Sequence, residues 1–131
     1  MDTTLKVTWS FTSQIDGGPR LSASTPSIEI SAYDYVKQTL PAPAVGASTK
    51  TDVHLQPDTS AKMVAILADK YDPKVTYQVD GGGAERVLDG PHLFLGGGAV
   101  KFMSTTNPQK LTFTNSSTGA ITVQVFVGRE A

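Results

Sequence analysis

The residues of this chain that could do chemistry are few, and their spacing is weak. His54 and His92 are the only histidines. Asp52 and His54 lie two positions apart, so an extended strand would present both on one side as metal ligands. Nothing in the sequence specifies a third ligand, and the absence of Cys excludes thiolate sites. We therefore predict no metal site, and we expect His92, which follows Pro91, to lie exposed in a turn.

Hydrolytic catalysis would need a nucleophile beside a base and an orienting acid. Ser, His and Asp are present, but no G-x-S-x-G elbow exposes a serine. A carboxylate pair for glycoside cleavage would come from Asp80, Glu85 and Asp89. These acids surround a Gly-rich hairpin signal, where exposed acids are common. We predict no catalytic residues and no enzymatic activity.

Two glycine triplets, Gly81–Gly83 and Gly96–Gly98, raise the question of phosphate binding. The second triplet is followed by Ala-Val-Lys, which lacks the spacing and the Lys-Ser/Thr end of a P-loop. No helical pattern follows either triplet to offer a helix N-terminus to an anion. Both triplets are predicted to be turns, and we predict no cofactor.

The charge balance gives no sign of a nucleic-acid partner. The chain has 11 basic and 12 acidic residues, for a net charge of -1. Proteins that bind single strands interleave aromatic residues with Lys and Arg. Tyr33 and Tyr35 have only Lys37 near them. We predict that the protein binds neither nucleic acid nor an acidic membrane surface.

Length and composition predict one domain, residues 1–131, with a core that needs no disulfide bonds or metal ions to be stable. A chain of 131 residues buries roughly two-thirds of its unfolded surface. No basic segment followed by an apolar run opens the sequence, so no signal peptide is expected. The longest apolar run, Met63–Ala68, is too short to cross a bilayer. Only 18% of the residues are charged, and Thr and Ser fill the polar positions, as in β-proteins with neutral outward faces.

The strongest element signal lies in Leu111–Val127. Apolar residues alternate with Thr and Gln on both sides of Asn115–Gly119, and a period of two predicts strands with one face in a core. Two such runs joined by a short Gly-containing loop predict a hairpin. Leu5–Phe11 alternates in the same way, with Trp9, the only Trp, on the apolar face. We expect Trp9, together with Phe113, Val123 and Val125, in one core.

Further short strands are expected throughout the chain. The predicted segments are Ser27–Val36, Thr51–Gln56, Val75–Val79, Val87–Leu88, Leu93–Leu95 and the apolar pieces at Val100 and Phe102. Turn signals separate them about every ten residues. This pattern predicts an all-β fold, an antiparallel β-sandwich of the jelly-roll or Ig-like kind with seven to nine short strands.

Lys62–Lys70 is open to two interpretations. Its apolar run fits a strand buried on both faces, and it also fits a short helix capped by Asp58, Thr59 or Ser60. The run is short and its neighbours are strands, so we choose the strand.

Five residues are candidates for protein contacts. Tyr33 and Tyr35 lie opposite Ile28 and Ile30 in the strand pattern, on a face that is otherwise polar, and Tyr is enriched at interfaces. Phe126 lies opposite Val125 among polar residues, where it is either an interface residue or covered by a loop of its own chain. Pro41 and Pro43 hold the Leu40–Thr49 loop extended, so that it could lie along a neighbour at low entropic cost.

The second half of the chain resembles small β-sandwich structural proteins of tailed-phage virions. The resemblance runs from Lys62 to Glu130, through VAILADK, VTYQV, the Gly-rich hairpin and LTFTNSSTGAITVQVFVGRE. It is similar in style to capsid decoration or cement proteins and to small head or tail accessory proteins. The resemblance implies a homo-oligomer located in the virion and bound to capsid or other virion proteins, without catalysis or a cofactor.

Two functions from other classes stay open at the level of sequence. One is a carbohydrate-binding sandwich, a receptor or glycan attachment module in which Tyr33, Tyr35 or Trp9 would stack on sugars. An exposed aromatic strip would favour it. The other is a small enzyme that uses turn carboxylates, which would need two acids facing each other across a cleft.

Overall fold

The computed structural model describes residues 5–24, 28–55, 61–103 and 108–129. In these segments the chain forms 12 strands and one short helix. The strands are β1 (Leu5–Val7), β2 (Ser10–Gln14), β3 (Arg20–Ser24), β4 (Ile28–Ile30), β5 (Ala32–Leu40), β6 (Thr49–His54), β7 (Ala61–Ala68), β8 (Val75–Val79), β9 (Gly82–Val87), β10 (His92–Leu95), β11 (Lys110–Asn115) and β12 (Ile121–Arg129), and the helix is α1 (Gly97–Met103). The count exceeds the predicted seven to nine because two predicted strands are interrupted, at Thr8–Trp9 and at Ser31, and because β3 forms where the sequence pattern predicted no strand.

Eight of the strands form two four-stranded antiparallel sheets. Sheet I has the order β10-β7-β12-β5, and sheet II has the order β6-β11-β8-β9. The other four strands form two ribbons, β1-β4 and β2-β3. The predicted all-β antiparallel sandwich is confirmed.

The core lies where the inward faces of the two sheets meet. Leu40, Ile66 and Val125 project into it from sheet I, and Tyr77 and Phe113 project from sheet II; all are fully buried. Burying a large apolar side chain stabilises a fold by roughly 1.5–3 kcal/mol. The predicted core positions of Phe113, Val123 and Val125 are confirmed.

The predicted core strand Leu5–Phe11 is wrong. The chain leaves the ladder at Thr8 and Trp9, so that β1 pairs with β4 and β2 pairs with β3. Trp9 is half-buried and lies outside the core cluster, while Phe11 is 50% exposed. Alternation here marks the apolar side of two short ribbons, which do not enter the space between the sheets.

The predicted hairpin between Leu111 and Val127 is also wrong, although both of its strands exist. β11 pairs with β6 and β8, whereas β12 pairs with β5 and β7. The chain therefore crosses from sheet II to sheet I through the Asn115–Gly119 loop. Both strands turn their apolar sides to the same core from opposite sheets, which produces the same sequence pattern as a hairpin.

The structure also decides two segments whose secondary structure was predicted: the run Lys62–Lys70 and the segment around Val100 and Phe102. The strand interpretation of the ambiguous run is confirmed by β7. The β pieces expected at Val100 and Phe102 are wrong, because both residues belong to α1, which buries Val100 and Met103 on one side. Seven residues are too few to display a helical period in a glycine-rich stretch.

Several predicted features fall outside the described residues. These are Ser27 and Gln56 at the ends of two predicted strands, the alternative helix caps Asp58, Thr59 and Ser60, and Glu130 at the end of the phage resemblance. Within the described segments, no helix has the length and apolar character needed to span a membrane.

Candidate interaction surface

The outward face of sheet I carries two adjoining rows of uncharged side chains. In the first row, cross-strand register sets Leu93 beside Ala65, Ala65 beside Phe126, and Phe126 beside Tyr35. Directly opposed residues share a face of the sheet, so all four side chains point away from the core. We call this row and the next one the apolar rows.

The second apolar row runs parallel to the first. Its members are Leu95, Met63, Gly128 and Tyr33. A methyl group at Gly128 would lie 2.9 Å from Ile30 Cγ2 and from Met63 Cγ. Ile30 belongs to β4, so the β1-β4 ribbon packs onto the sheet at Gly128, and this end of the face is partly covered by the chain itself.

The three aromatic candidates lie together on these rows. The rings of Tyr33 and Phe126 stack with centroids 5.4 Å apart and an interplanar angle of 21°. Tyr35 Oη donates a hydrogen bond to Gln124 Oε1 at 3.1 Å. Tyr33 is 53% exposed and Tyr35 is 54% exposed, whereas Phe126 is half-buried beneath its stacking partner. Their outward orientation agrees with the strand pattern, and their role in an interface stays a prediction.

The same face becomes polar toward its other end. Leu67, Gln124 and Lys37 form the next row. Beyond them, Thr39 Oγ1 and Thr122 Oγ1 are hydrogen-bonded at 3.2 Å. The apolar character is thus confined to the half of the face nearest the two ribbons.

Sheet II presents the opposite character. Its outward positions include Asp52, Thr112 and Gln78 in one row and Lys50, Thr114 and Thr76 in the next. Such Thr-rich, charged rows are suited to water. The two outward faces of the sandwich therefore differ, and only that of sheet I carries contiguous apolar rows among the described residues.

A groove borders the apolar rows. It encloses about 440 Å³. Val7, Trp9 and Phe11 line one side, and Ala65, Leu93 and Leu95 belong to the other. Among the described residues that line it, none carries a charge. Trp9, predicted as a core anchor, instead forms a wall of this groove on the outside of sheet I.

Pro41 and Pro43 lie far from the aromatic candidates. The strand distance from Tyr35 to Pro41 is roughly 20 Å at about 3.3 Å per residue. The loop between β5 and β6 is also less extended than predicted, because Ala47 N donates to Ala44 O at 2.9 Å and Gly46 has a φ of 77°. This turn leaves the Val45 side chain fully exposed at its tip.

The base of this loop is held by buried hydrogen bonds. Asn115 Nδ2 donates to Pro41 O at 3.2 Å and to Gly119 O at 2.9 Å. Asn115 Oδ1 accepts hydrogen bonds from Ser117 N at 2.9 Å and from Ser117 Oγ at 2.6 Å. The polar residues of the predicted hairpin loop thus join two loops, and the groove of about 580 Å³ beside them is lined by both polar and apolar residues.

Of the acidic and histidine candidates of the sequence, His54 and Asp80 line one groove together with Lys110. Asp80, at a φ of 54°, accepts hydrogen bonds from the backbone N–H groups of Gln109 at 2.7 Å and Lys110 at 3.0 Å. Asp52 accepts one from Thr112 Oγ1 at 2.8 Å. In the segments that the structure describes, no group of three or more His, Asp or Glu residues could hold a metal ion.

The other two acidic candidates, Glu85 and Asp89, are both exposed. Glu85 lies on β9, and Asp89 lies in the turn that follows. Asp80 and Gly81 both have positive φ, as the two-residue hairpin turn between β8 and β9 requires. Asp80 therefore shapes this turn and satisfies backbone donors.

The predicted exposure of His92 is wrong. His92 begins β10 and is half-buried, and its Nδ1 is hydrogen-bonded to Tyr77 Oη at 2.7 Å. This bond links sheet I to sheet II. Burial raises the pKa of the Tyr77 phenol, while the charge of Arg86 and a hydrogen bond to it act in the opposite direction. Arg86 also donates to the carbonyl of Met103 at the end of α1.

Comparison of the chain with known protein families, with curated proteins and with solved structures found no match.

Sequence reasoning missed the aliphatic half of the apolar rows. Met63 and Ala65 could have been found, because a run that is apolar on both faces needs cover on both. Leu93 and Leu95 alternate with His92 and Phe94 in a strand of four residues, which is too short to tell inward from outward. Trp9 was noticed but assigned to the core.

Proposed function

We propose that the protein is a non-enzymatic structural component of a phage virion, a decoration or cement protein that stabilises the capsid shell by protein–protein contacts. The observation that carries this proposal is the pair of apolar rows on sheet I. Monomeric proteins seldom leave large contiguous apolar patches exposed to water, and such patches mark interaction sites. We propose a virion as the location because Lys62–Glu130 resembles phage β-sandwich proteins.

The composition of the rows suits a protein partner. Interfaces are depleted of charge at their centre and enriched in aromatic residues and Met. Tyr33, Tyr35 and Phe126 provide the aromatic residues, Met63 is itself buried, and no row member is charged. The polar rows beyond Leu67 would then form the rim of the contact.

The distribution of reactive groups also favours a binding role over catalysis. Asp80 and Asp52 are engaged in hydrogen bonds that hold backbone and strand neighbours. His92 is bonded to Tyr77 between the sheets. Within the described ranges, these hydrogen bonds tie each group to backbone N–H groups or to a neighbouring strand.

A carbohydrate-binding module is the alternative, because Tyr33 and Tyr35 are exposed on one face. Sugar sites combine an aromatic platform with polar groups that bond to the hydroxyls. Here the neighbours of the two tyrosines across the sheet are aliphatic, with Gln124 already bonded to Tyr35. That lining favours protein over sugar. Glycan-array binding that is lost in Tyr33→Ala and Tyr35→Ala would instead support the module.

Cosedimentation with purified phage heads that lack the protein tests the main proposal. We expect wild type to pellet with the heads and Tyr35→Asp to remain in the supernatant, because a charge would be buried in an apolar contact. Thr39→Asp is the matched control: it places the same charge on the same strand and face, at the polar end, and should still bind.

Two results would contradict the proposal. One is wild-type protein that fails to bind heads at micromolar concentration. The other is equal loss of binding in Tyr35→Asp and Thr39→Asp, which would show that head binding does not depend specifically on the apolar rows.

A further inference from the structure

The β2-β3 ribbon has the form of an arm. Its strands, Ser10–Gln14 and Arg20–Ser24, are joined by a tight loop in which Gly17 has a φ of 70°. Among the described elements, β2 and β3 pack extensively only against each other. An isolated two-stranded hairpin is marginally stable in water. The arm therefore needs a surface to lie on.

The arm is amphipathic. The register pairs Ser13 with Leu21 and Thr12 with Ser22, so Phe11 and Leu21 share one face and Thr12 and Ser22 share the other. Phe11 is 50% exposed, Leu21 is 53% exposed and Ile15, in the loop, is 52% exposed. The apolar face of the arm is thus left half in water by its own chain.

The apolar rows are the matching surface on the same molecule. They are uncharged, as is the apolar face of the arm, and the groove walled by Trp9 and Phe11 adjoins them. Phe11, at the base of the arm, borders the rows of its own chain across this groove, whereas Leu21 and Ile15 are not among the residues that line it. The chain therefore has an apolar arm and an apolar face that are both exposed to water. Pairing with a second copy of the chain can bury both surfaces at once.

We propose that two copies of this chain exchange arms, each laying Leu21 and Ile15 on the apolar rows of the other. This inference deepens the proposed function and rests on the same surface, since it names the first occupant of the apolar rows as a second copy. Shell contacts would then be made by the assembled oligomer.

The available area supports a reciprocal exchange. A half-exposed large apolar side chain offers roughly 100 Å². Two such groups on the arm (Leu21 and Ile15) and three on the rows (Tyr33, Tyr35 and Leu93) give on the order of 500 Å² for each copy. Specific interfaces bury about 800 Å² per partner, and the groove walls can supply the remainder. One arm on one sheet would supply about half as much.

Cysteine cross-linking tests the exchange directly, because the chain has no Cys of its own. Leu21→Cys, carrying a size tag, is mixed with untagged Leu93→Cys and oxidised. We expect a mixed product of arm-to-sheet type on a non-reducing gel. Ser22→Cys mixed with Leu93→Cys is the control: Ser22 is the next residue but lies on the polar face of the arm, and it should give little product.

Sedimentation of charge variants provides a second readout. Leu21→Asp should weaken self-association at least about tenfold, since it places a charge in the contact. Ser22→Asp should leave self-association unchanged. Both variants should keep a β-type circular dichroism spectrum, because neither residue belongs to the core.

Three outcomes would overturn the exchange. They are a wild type that stays monomeric at high micromolar concentration, equal cross-linking from Leu21→Cys and Ser22→Cys, and a Leu21→Cys/Leu93→Cys double variant that links only within one chain. None of these outcomes involves heads. Head binding without exchange would overturn this inference alone, and exchange without head binding would overturn the proposed function alone.

Discussion

Gly128 is the residue that lets the amino-terminal ribbon close onto sheet I. Gly128→Ala would bring a methyl group to 2.9 Å from both Ile30 Cγ2 and Met63 Cγ. We expect a loss of about 1–3 kcal/mol in the free energy of unfolding, because packed neighbours must shift. Urea titration measures it. Gly119→Ala is the control: a methyl group there meets no atom within 4 Å, and a comparable loss would contradict the packing argument.

Tyr77 makes the stability of the fold sensitive to alkaline pH. Burial raises its pKa above the ordinary value of 10.0, with Arg86 opposing part of that effect. At lower pH, Tyr77 keeps its proton in both the folded and the unfolded state, so its contribution to the free energy of unfolding is fully present. As pH rises past 10.0, the unfolded state loses its proton first, and the free energy of unfolding falls.

Tyr77→Phe tests this pH dependence. It removes the titrating group, so the alkaline decline in unfolding free energy should become shallower than in wild type. The variant also loses the hydrogen bond to His92, at a cost of about 1 kcal/mol that is present at neutral pH. Denaturant titrations across the alkaline range separate the two effects, and an unchanged alkaline slope would contradict the assignment.

At the scale of elements, β5 and β12 are joined by an ion pair as well as by their ladder. Arg129 Nη2 lies 3.1 Å from Asp34 Oδ1, with the two side chains 7% and 13% exposed. Asp34→Asn should lower the free energy of unfolding by about 3–5 kcal/mol, because it removes one partner of a buried ion pair. Asp52→Asn, on an exposed face, is the control and should change stability little. A near-neutral Asp34→Asn would refute the argument.

Strand β12 is the central packing element of sheet I. Val125 is fully buried and lies between partners on β5 and β7. Val125→Asp should unfold the protein, because an unpaired carboxylate would be placed in the core. Gln124→Asp, one residue earlier and on the outward face, should remain folded. Circular dichroism and thermal unfolding distinguish the two variants, and a stable Val125→Asp would disprove the position of the core.

At the scale of the whole molecule, association through the apolar rows should be insensitive to salt. The rows and the apolar face of the arm carry no charge, and the net charge of -1 gives little repulsion between copies. Screening weakens contacts between charges and leaves apolar burial intact. Sedimentation at low and high salt should therefore report equal or stronger association at high salt. Clear dissociation by salt would indicate that charged surfaces carry the contact instead.

Local patterning was enough to predict the fold class and much of the core. The alternation in β12 identified Val123 and Val125 as buried, and the outward placement of Tyr33 and Tyr35 followed from the same period of two. The turn signal Asp80–Gly83 marked the β8-β9 hairpin, although Gly82 and Gly83 belong to β9 and only Asp80 and Gly81 form the turn. These features depend on near neighbours in sequence, so the sequence contains them directly.

Only the tertiary structure decided which strands are partners. Leu111–Asn115 and Ile121–Arg129 look like a hairpin, yet they lie in different sheets, because alternation reports which side of a strand is apolar and not what it pairs with. The sequence placed Trp9 on the apolar side of a core strand. In the structure that strand is interrupted at Trp9, which lines a groove outside the core. The apolar rows bring together four strands from distant parts of the chain. Long-range register alone creates that surface, so the sequence determined its residues and the fold determined that they form one face.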